Sequence, residues 1–321
     1  MEKAVKRSKA AAKPRRVGSR FNKKNTKKFI VAIFVYLVLF DLAFVFLYPF
    51  ITMIIDALKS EADLLNVTVK WIPSELRWDN FKTAFEGLNY LTYFKNSVIV
   101  TLISTIGHTF VCAFIGYGFA RYKFPGRGVL FAGVILTMLV PTQVLIFPMY
   151  ITFSNWGWLE TYLPLLVPCF FGFGLRGGFY VFLFRQFFMG LPYEMEEAAR
   201  IDGCGPLKTF LKIMLPMSRS SLLVCCVLSI VWHWNDYFEP SIYLNQSPSL
   251  ALLPSKLPAM YAALNQVASE AEDISVSGDV IINQAVCMAS TFLVILPILI
   301  AYMFVQKQFM EGVERSGLTG M

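Results

Sequence analysis

Glu194, Glu196 and Glu197 fall within one helical turn, in a stretch that runs from Leu191 to Pro216. Carboxylates so placed can pair with cations or seat at a rim. Catalysis needs a nucleophile, a base or a metal set beside them, and no recognised catalytic motif supplies one. No lysine follows a glycine, so a GxxxxGK[ST] phosphate loop is impossible. HExxH, GxSxG and metal-spaced histidine clusters are also missing. Two histidines, His108 and His233, are too few for a site of their own. The expectation is a path and a lever: not an enzyme, with no metal and no cofactor bound by this chain.

The elements that must position these acids are two short helices with a hinge. Pro192 suits a first helical turn, where a missing N–H costs nothing. The three glutamates suit the positive end of a helix dipole. Gly203 stops the helix where a left-handed residue is wanted. Gly205-Pro206 starts a second helix and Pro216 closes it. Met195, Ala198 and Ala199, then Leu207, Phe210, Leu211 and Met214, recur at helical spacing and make an apolar face. On pattern alone this is either a docking element or an ordinary amphipathic loop lying on a membrane surface.

The surrounding chain is apolar. Of 321 residues 56% are hydrophobic and 16% charged, with mean hydropathy +0.56. Those values place it outside the soluble class. Six runs approach bilayer-spanning length: about Phe29–Ile55, Asn96–Phe119, Val129–Ile151, Tyr162–Phe184, Ser220–Phe238 and Asn283–Val305. Pro141 and Pro148 predict kinks in the third. Gly172, Gly174, Gly177 and Gly178 predict irregularity or close packing in the fourth. The first 28 residues hold twelve Lys and Arg against Glu2 alone, so that tail is +11 and the remainder of the +8 chain is −3. A tail of this kind beside an apolar span suits anionic lipid better than nucleic acid. Its length and the full-length run after it exclude a cleavable signal peptide. The positive-inside rule puts both termini, the Arg121–Arg127 turn and the 191–216 stretch on the cytoplasmic side. The domain reading is a basic tail over 1–28, a membrane domain over 29–305 containing the 191–216 loop, and a second tail over 306–321. Six cysteines show no ligand spacing, and no disulfide is expected.

Glu197-Ala198-Ala199, three residues, Gly203, nine more, then Ile213-x-Leu215-Pro216 resembles the EAA loop of ABC-importer permeases. Gly118–Arg127, Met138–Gln143, Phe184–Phe188, Trp234–Tyr237 and Glu314–Leu318 resemble the carbohydrate-uptake branch, the family of the maltose transporter's shorter membrane subunit. The resemblance covers Phe29 to the end. It implies an all-α membrane protein of six transmembrane helices, with the type I ABC-importer permease fold and a cytoplasmic coupling helix. Glu197, Ala198, Ala199, Gly203, Ile213, Leu215 and Pro216 would then meet the ATPase. The implied setting is a bacterial or archaeal plasma membrane. The implied partners are a second permease, two ATP-binding subunits that hold ATP and Mg, an extracellular solute-binding protein and a sugar, with membrane lipid around the chain and no nucleic acid. Glycerol phosphate, a polyamine or an amino acid would use the same architecture. A secondary carrier would show an inverted repeat and an ionisable relay, and the sequence has neither.

Two groups of residues could see the transported solute. Trp232, Trp234, Asn235, Asp236 and Tyr237 offer aromatic faces and planar polar groups that suit sugars; they equally suit an interfacial aromatic belt or a structural cap at the end of a span. Asp41 and Arg176 lie within apolar spans, where a charge costs about 3 kcal/mol on insertion scales and normally faces a bundle interior or cavity.

Overall fold

The computed structural model describes residues 23–174, 176–269 and 283–318, and all regular structure among them is helical. The basic residues before Lys23 and the acids Glu270, Glu272, Asp273 and Asp279 lie outside this range. By contacts the chain divides into two compact units between Thr52 and Met53.

The first unit is the body of α1 (Lys23–Ala57), and its residues 28–50 are exposed throughout, Asp41 included. In the second unit α2 (Tyr90–Arg121) is the central element. Its buried face is polar or small: Ser97, Thr101, Ser104, His108, Cys112 and Gly116 recur every three or four residues. Its exposed face carries Leu102, Ile106, Phe110 and Phe114 at the same period. This reversal of soluble amphipathicity is what lipid requires, since small and hydroxylated faces let helices approach. At Gly116 a Cβ would come within 2.7 Å of the Phe184 Cβ, so only glycine permits that crossing.

α3 (Arg127–Leu139) and α4 (Thr142–Asn155) correspond to the third expected span. They meet at 103°, so the expected kink is a full elbow. Pro141 sits at the elbow: its φ of −61° suits a helix, but it has no N–H to donate and its ring drives Val140 before it into extended backbone. Pro148 is accommodated within α4. The fourth expected span is also interrupted. A short helix, Leu163–Leu166, and a 3-10 turn, Val167–Phe171, are followed by a break, and α5 (Gly177–Met189) resumes beyond it. Gly172 and Gly174 take positive φ in the break, and Gly177 lies against the Gly172 carbonyl.

α6 (Glu194–Ile201) belongs to the 191–216 stretch; α7 (Arg219–Asn235) and α8 (Gln284–Leu318) complete the bundle. α2 packs against α5 and α7, and α7 packs against α8. Among the described residues three helices are long and apolar enough to cross a membrane: Lys28–Ala57, Tyr90–Arg121 and Gln284–Met310. The other expected spans are elbowed, broken or, for α7, 17 residues long; counting each bent pair as one span gives up to five among the described residues. α8 also runs on through the segment read as a C-terminal tail. Between α1 and α2, two short helices, Glu61–Leu65 and Asp79–Gly87, fold, and Ala84 and Leu88 of this segment pack with Trp234 and Val286. Asp63 accepts from the Ser74 N–H at 2.9 Å and its hydroxyl at 2.8 Å, which holds the carboxyl below its usual value.

Candidate functional site

Leu191–Pro216 folds as two helical pieces around a glycine. Pro192 precedes α6 instead of entering its first turn. At the other end the Gly203 N–H donates to the Arg200 carbonyl at 3.0 Å, and the Cys204 N–H to the Ala199 carbonyl at 2.9 Å. That pair of bonds is a Schellman cap, and Gly203 supplies its left-handed residue at φ 74°. Open space surrounds the position where a Cβ would stand, so backbone conformation alone makes the demand there. Pro206 then opens a helical turn, Pro206–Thr209, which widens into a π turn over Phe210–Met214. The run continues through Pro216 to Met217, and the chain bends by 79° before α7.

The stretch has an anchored side and a free side. Phe210 and Met214 are fully buried, and the Phe210 ring lies 5.2 Å from Phe114 and 5.3 Å from Tyr117 on α2. Ala199 is buried as well. On the free side are Glu197, Ala198, Ile201 at 86% exposure, Leu207 and Leu211. The apolar residues read as one face thus divide between core and surface. Ile213 and Leu215 are half-buried and Pro216 is exposed.

Glu196 points the other way from Glu197. Its carboxylate is buried and lies 3.1 Å from Arg121 Nε, at the C-terminus of α2. The same guanidinium donates to the Leu191 carbonyl at 2.6 Å and covers the Tyr193 ring at 4.3 Å. Burial raises the Glu196 carboxyl above its ordinary 4.5, and Arg121 and then Arg200 oppose that rise. Sequence reasoning missed this clamp. Both residues were in view, but nothing in their spacing links positions so far apart.

A cleft of about 500 Å³ opens beside the break before α5. Thr137, Thr142, Gln143, Arg176 and Glu239 give it polar groups on a largely apolar wall. Arg176 caps α5 in the left-handed region at φ 65°, a conformation that costs a non-glycine residue about 1 kcal/mol or more. Its guanidinium lies 5.0 Å from the Trp232 ring centroid. Trp232 also packs against Phe179 and Tyr180.

The rest of the aromatic cluster separates by role. Trp234 is 4% exposed and donates from Nε1 to the Val294 carbonyl, which gives it a place in the core. Asn235 is exposed and bonds back to the Val231 carbonyl. Asp236 Oδ1 accepts from the Phe238 and Glu239 N–H groups, the cap considered from sequence. Tyr237 is exposed.

The two histidines, set aside on their number, meet inside the bundle. His108 Nδ1 is 3.0 Å from His233 Nε2, and His108 Nε2 is 3.0 Å from the Phe173 carbonyl oxygen. Cys169 Sγ joins them, with all three ligand atoms within 4.8 Å of one another.

Comparison with known proteins agrees with this architecture. The chain belongs to the family described as binding-protein-dependent transport system inner membrane component, which matches residues 112–315. It is therefore a permease subunit and a multi-pass protein of the inner membrane. It is 28% identical over 282 residues to the arabinooligosaccharides transport system permease protein AraQ of Halalkalibacterium halodurans, covering 87% of this chain and 93% of that one. A probable ABC transporter permease protein of Pyrococcus horikoshii is 32% identical over 218 residues, covering 68% and 72%. Among solved structures, a chain of a bacterial ABC transporter involved in the import of the acidic polysaccharide alginate superposes with a TM-score of 0.70 at 21% identity. That match covers 88% of this chain and 98% of the other, and it shows a shared fold.

Proposed function

We propose that this chain is one membrane half of an ATP-driven importer of oligosaccharides and that Leu191–Pro216 couples it to a cytoplasmic ATPase. The observation that carries the reading is the division of that stretch into an anchored side and a free side. Arg121, Phe210 and Met214 fix it to the bundle. Glu197, Ala198, Ile201, Leu207 and Leu211 present a small apolar surface with a carboxylate on it, which suits docking of a helix in a groove. Motion of the partner would pass through Gly203 and the π turn to α2, α5 and α7.

The proposed assembly has a second, related permease, two ATP-binding subunits that hold ATP and Mg, and a solute-binding protein outside. Both termini of this chain are cytoplasmic in that arrangement. Sugar as the cargo is supported by what the names of the similar arabinooligosaccharide and alginate transporters state. The cleft lined by Arg176 and Gln143, with Trp232 against the Arg176 guanidinium, has the size and mixed wall of a small-ligand site. Cells carrying the intact transporter should take up labelled arabino- or uronate-oligosaccharides, and cells lacking this chain should not. Uptake of glycerol 3-phosphate alone, with no saccharide transported, would overturn the sugar assignment while leaving the coupling assignment standing.

A further inference from the structure

The geometry points to a transition-metal site, suited to Zn²⁺, formed by His108, His233 and Cys169. The three residues come from α2, α7 and the 3-10 turn Val167–Phe171, so no sequence spacing announces them. His108, Cys169 and His233 are 0%, 1% and 7% exposed. Two imidazoles and a thiolate form a donor set that Zn²⁺ favours, with metal–nitrogen bonds near ~2.0 Å and a metal–sulfur bond near ~2.3 Å. Ligand atoms around such an ion stand about 3 to 4 Å apart. One ring nitrogen of each histidine and the Cys169 sulfur lie within 4.8 Å of one another, and the two facing histidine nitrogens are 3.0 Å apart.

The outer partner of His108 makes the case more specific. Nε2–H donates to the Phe173 carbonyl oxygen, which leaves the lone pair on Nδ1, the atom facing His233. A backbone carbonyl that fixes the far nitrogen of a ligating histidine is the usual support of a metal site. The neutral pair already needs His233 Nε2 as the hydrogen donor to His108 Nδ1. Binding moves that proton to His233 Nδ1, so both facing nitrogens become ligands.

Charge and coordination number also close. The Cys169 thiol, which otherwise donates to the Leu165 carbonyl at 3.2 Å, gives up its proton to water as the Zn–S bond forms. A divalent ion with one thiolate leaves one positive charge. His233, Asp236 and Glu239 line a common cavity of about 10 Å³, which brings carboxylates next to that charge. The volume admits roughly one water, enough for a fourth ligand. Such an ion would tie α2, α7 and the interrupted fourth segment together at the level of the break.

The test uses the full transporter purified through a histidine-free tag from zinc-supplemented cells. Elemental analysis should find about one zinc for each copy of this chain. Replacement by Co²⁺ should give the thiolate-to-cobalt charge-transfer band and the intense visible bands of a tetrahedral ion, both bleached by added Zn²⁺. Cys169→Ser should abolish the charge-transfer band, and Cys226→Ser should leave it. The proposal fails if wild-type protein binds less than a tenth of an equivalent. It fails equally if cobalt gives no thiolate band, or if the band survives in Cys169→Ser. Should Cys169→Ser not accumulate, the wild-type cobalt spectrum decides alone, because a band that is present and zinc-competed supports the site and an absent band overturns it. Transport plays no part in these readouts, so their failure leaves the coupling reading untouched.

Discussion

Arg121 Nε lies 3.1 Å from Glu196 Oε1, and neither side chain is more than 4% exposed. The pair joins the last turn of α2 to the first turn of α6. Removing one member of a buried pair leaves the other charge without compensation, which costs about 3 kcal/mol or more. Arg121→Leu should therefore lower the melting temperature of the detergent-solubilised transporter strongly and detach the coupling stretch. An unchanged melting curve would show that the pair holds nothing in place.

Glu196→Gln should behave differently, because an amide oxygen can still accept from Arg121 and the guanidinium keeps the Leu191 carbonyl as a partner. Burial raises the Glu196 carboxyl, so its ionisation opposes folding. The stability of its protonated form is complete below about 4.5 and is lost as pH rises through the raised value. The neutral isostere should therefore match or exceed wild-type stability near pH 7, and the two should converge as pH falls toward 4.5. Thermal melts across that range test this. A glutamine variant clearly weaker at pH 7, with the gap closing only in acid, would mean the ion pair outweighs the burial.

Gly203→Val places a β-branched residue at φ 74°, where even an unbranched L-residue is penalised by about 1–2 kcal/mol. No neighbour blocks the new side chain, so the bundle should still assemble. The expected result is a protein that inserts and binds its permease partner, with uptake and solute-stimulated ATP hydrolysis uncoupled. Full uptake in this variant would remove Gly203 from the coupling path.

Arg176 and Trp232 give a prediction of a different kind. Their cation–π contact joins the N-cap of α5 to α7 and should contribute about 0.5–1 kcal/mol. Arg176→Gln and Trp232→Leu should each raise the KM for saccharide uptake, and the double variant should lose less than the sum. Strictly additive effects would separate the two residues functionally.

An impermeant thiol reagent applied to intact cells should label Ser269→Cys and spare Ser316→Cys, in a background whose six native cysteines are replaced. Labelling of both would overturn the arrangement with both termini inside.

Much of this was legible along the chain because local chemistry speaks locally. Gly203 announces a left-handed cap, the glycines from 172 to 178 announce a break, and Pro141 announces a bend. The size of that bend was not legible, since a proline removes a hydrogen bond without saying how neighbouring helices will use the freedom. Contacts between distant positions were the main blind spot. Glu196 and Glu197 look alike in sequence, yet one is buried against Arg121 and the other is free. His108 and His233 were dismissed by counting, and only the packing of α2 against α7 reveals that they touch. Trp234 looked like a binding residue because tryptophan serves equally in a core.

The reversed faces of α2 also bear on how the chain is made. A helix leaves the ribosome before the later segments it will pack against. α5 and α7, which pack against it, are synthesised well after it. In that interval serine and threonine hydroxyls can turn back to carbonyls of their own helix, but His108 has no such recourse. A nascent α2 thus carries an imidazole whose Nε2 waits for the Phe173 carbonyl and whose Nδ1 waits longer still, for His233.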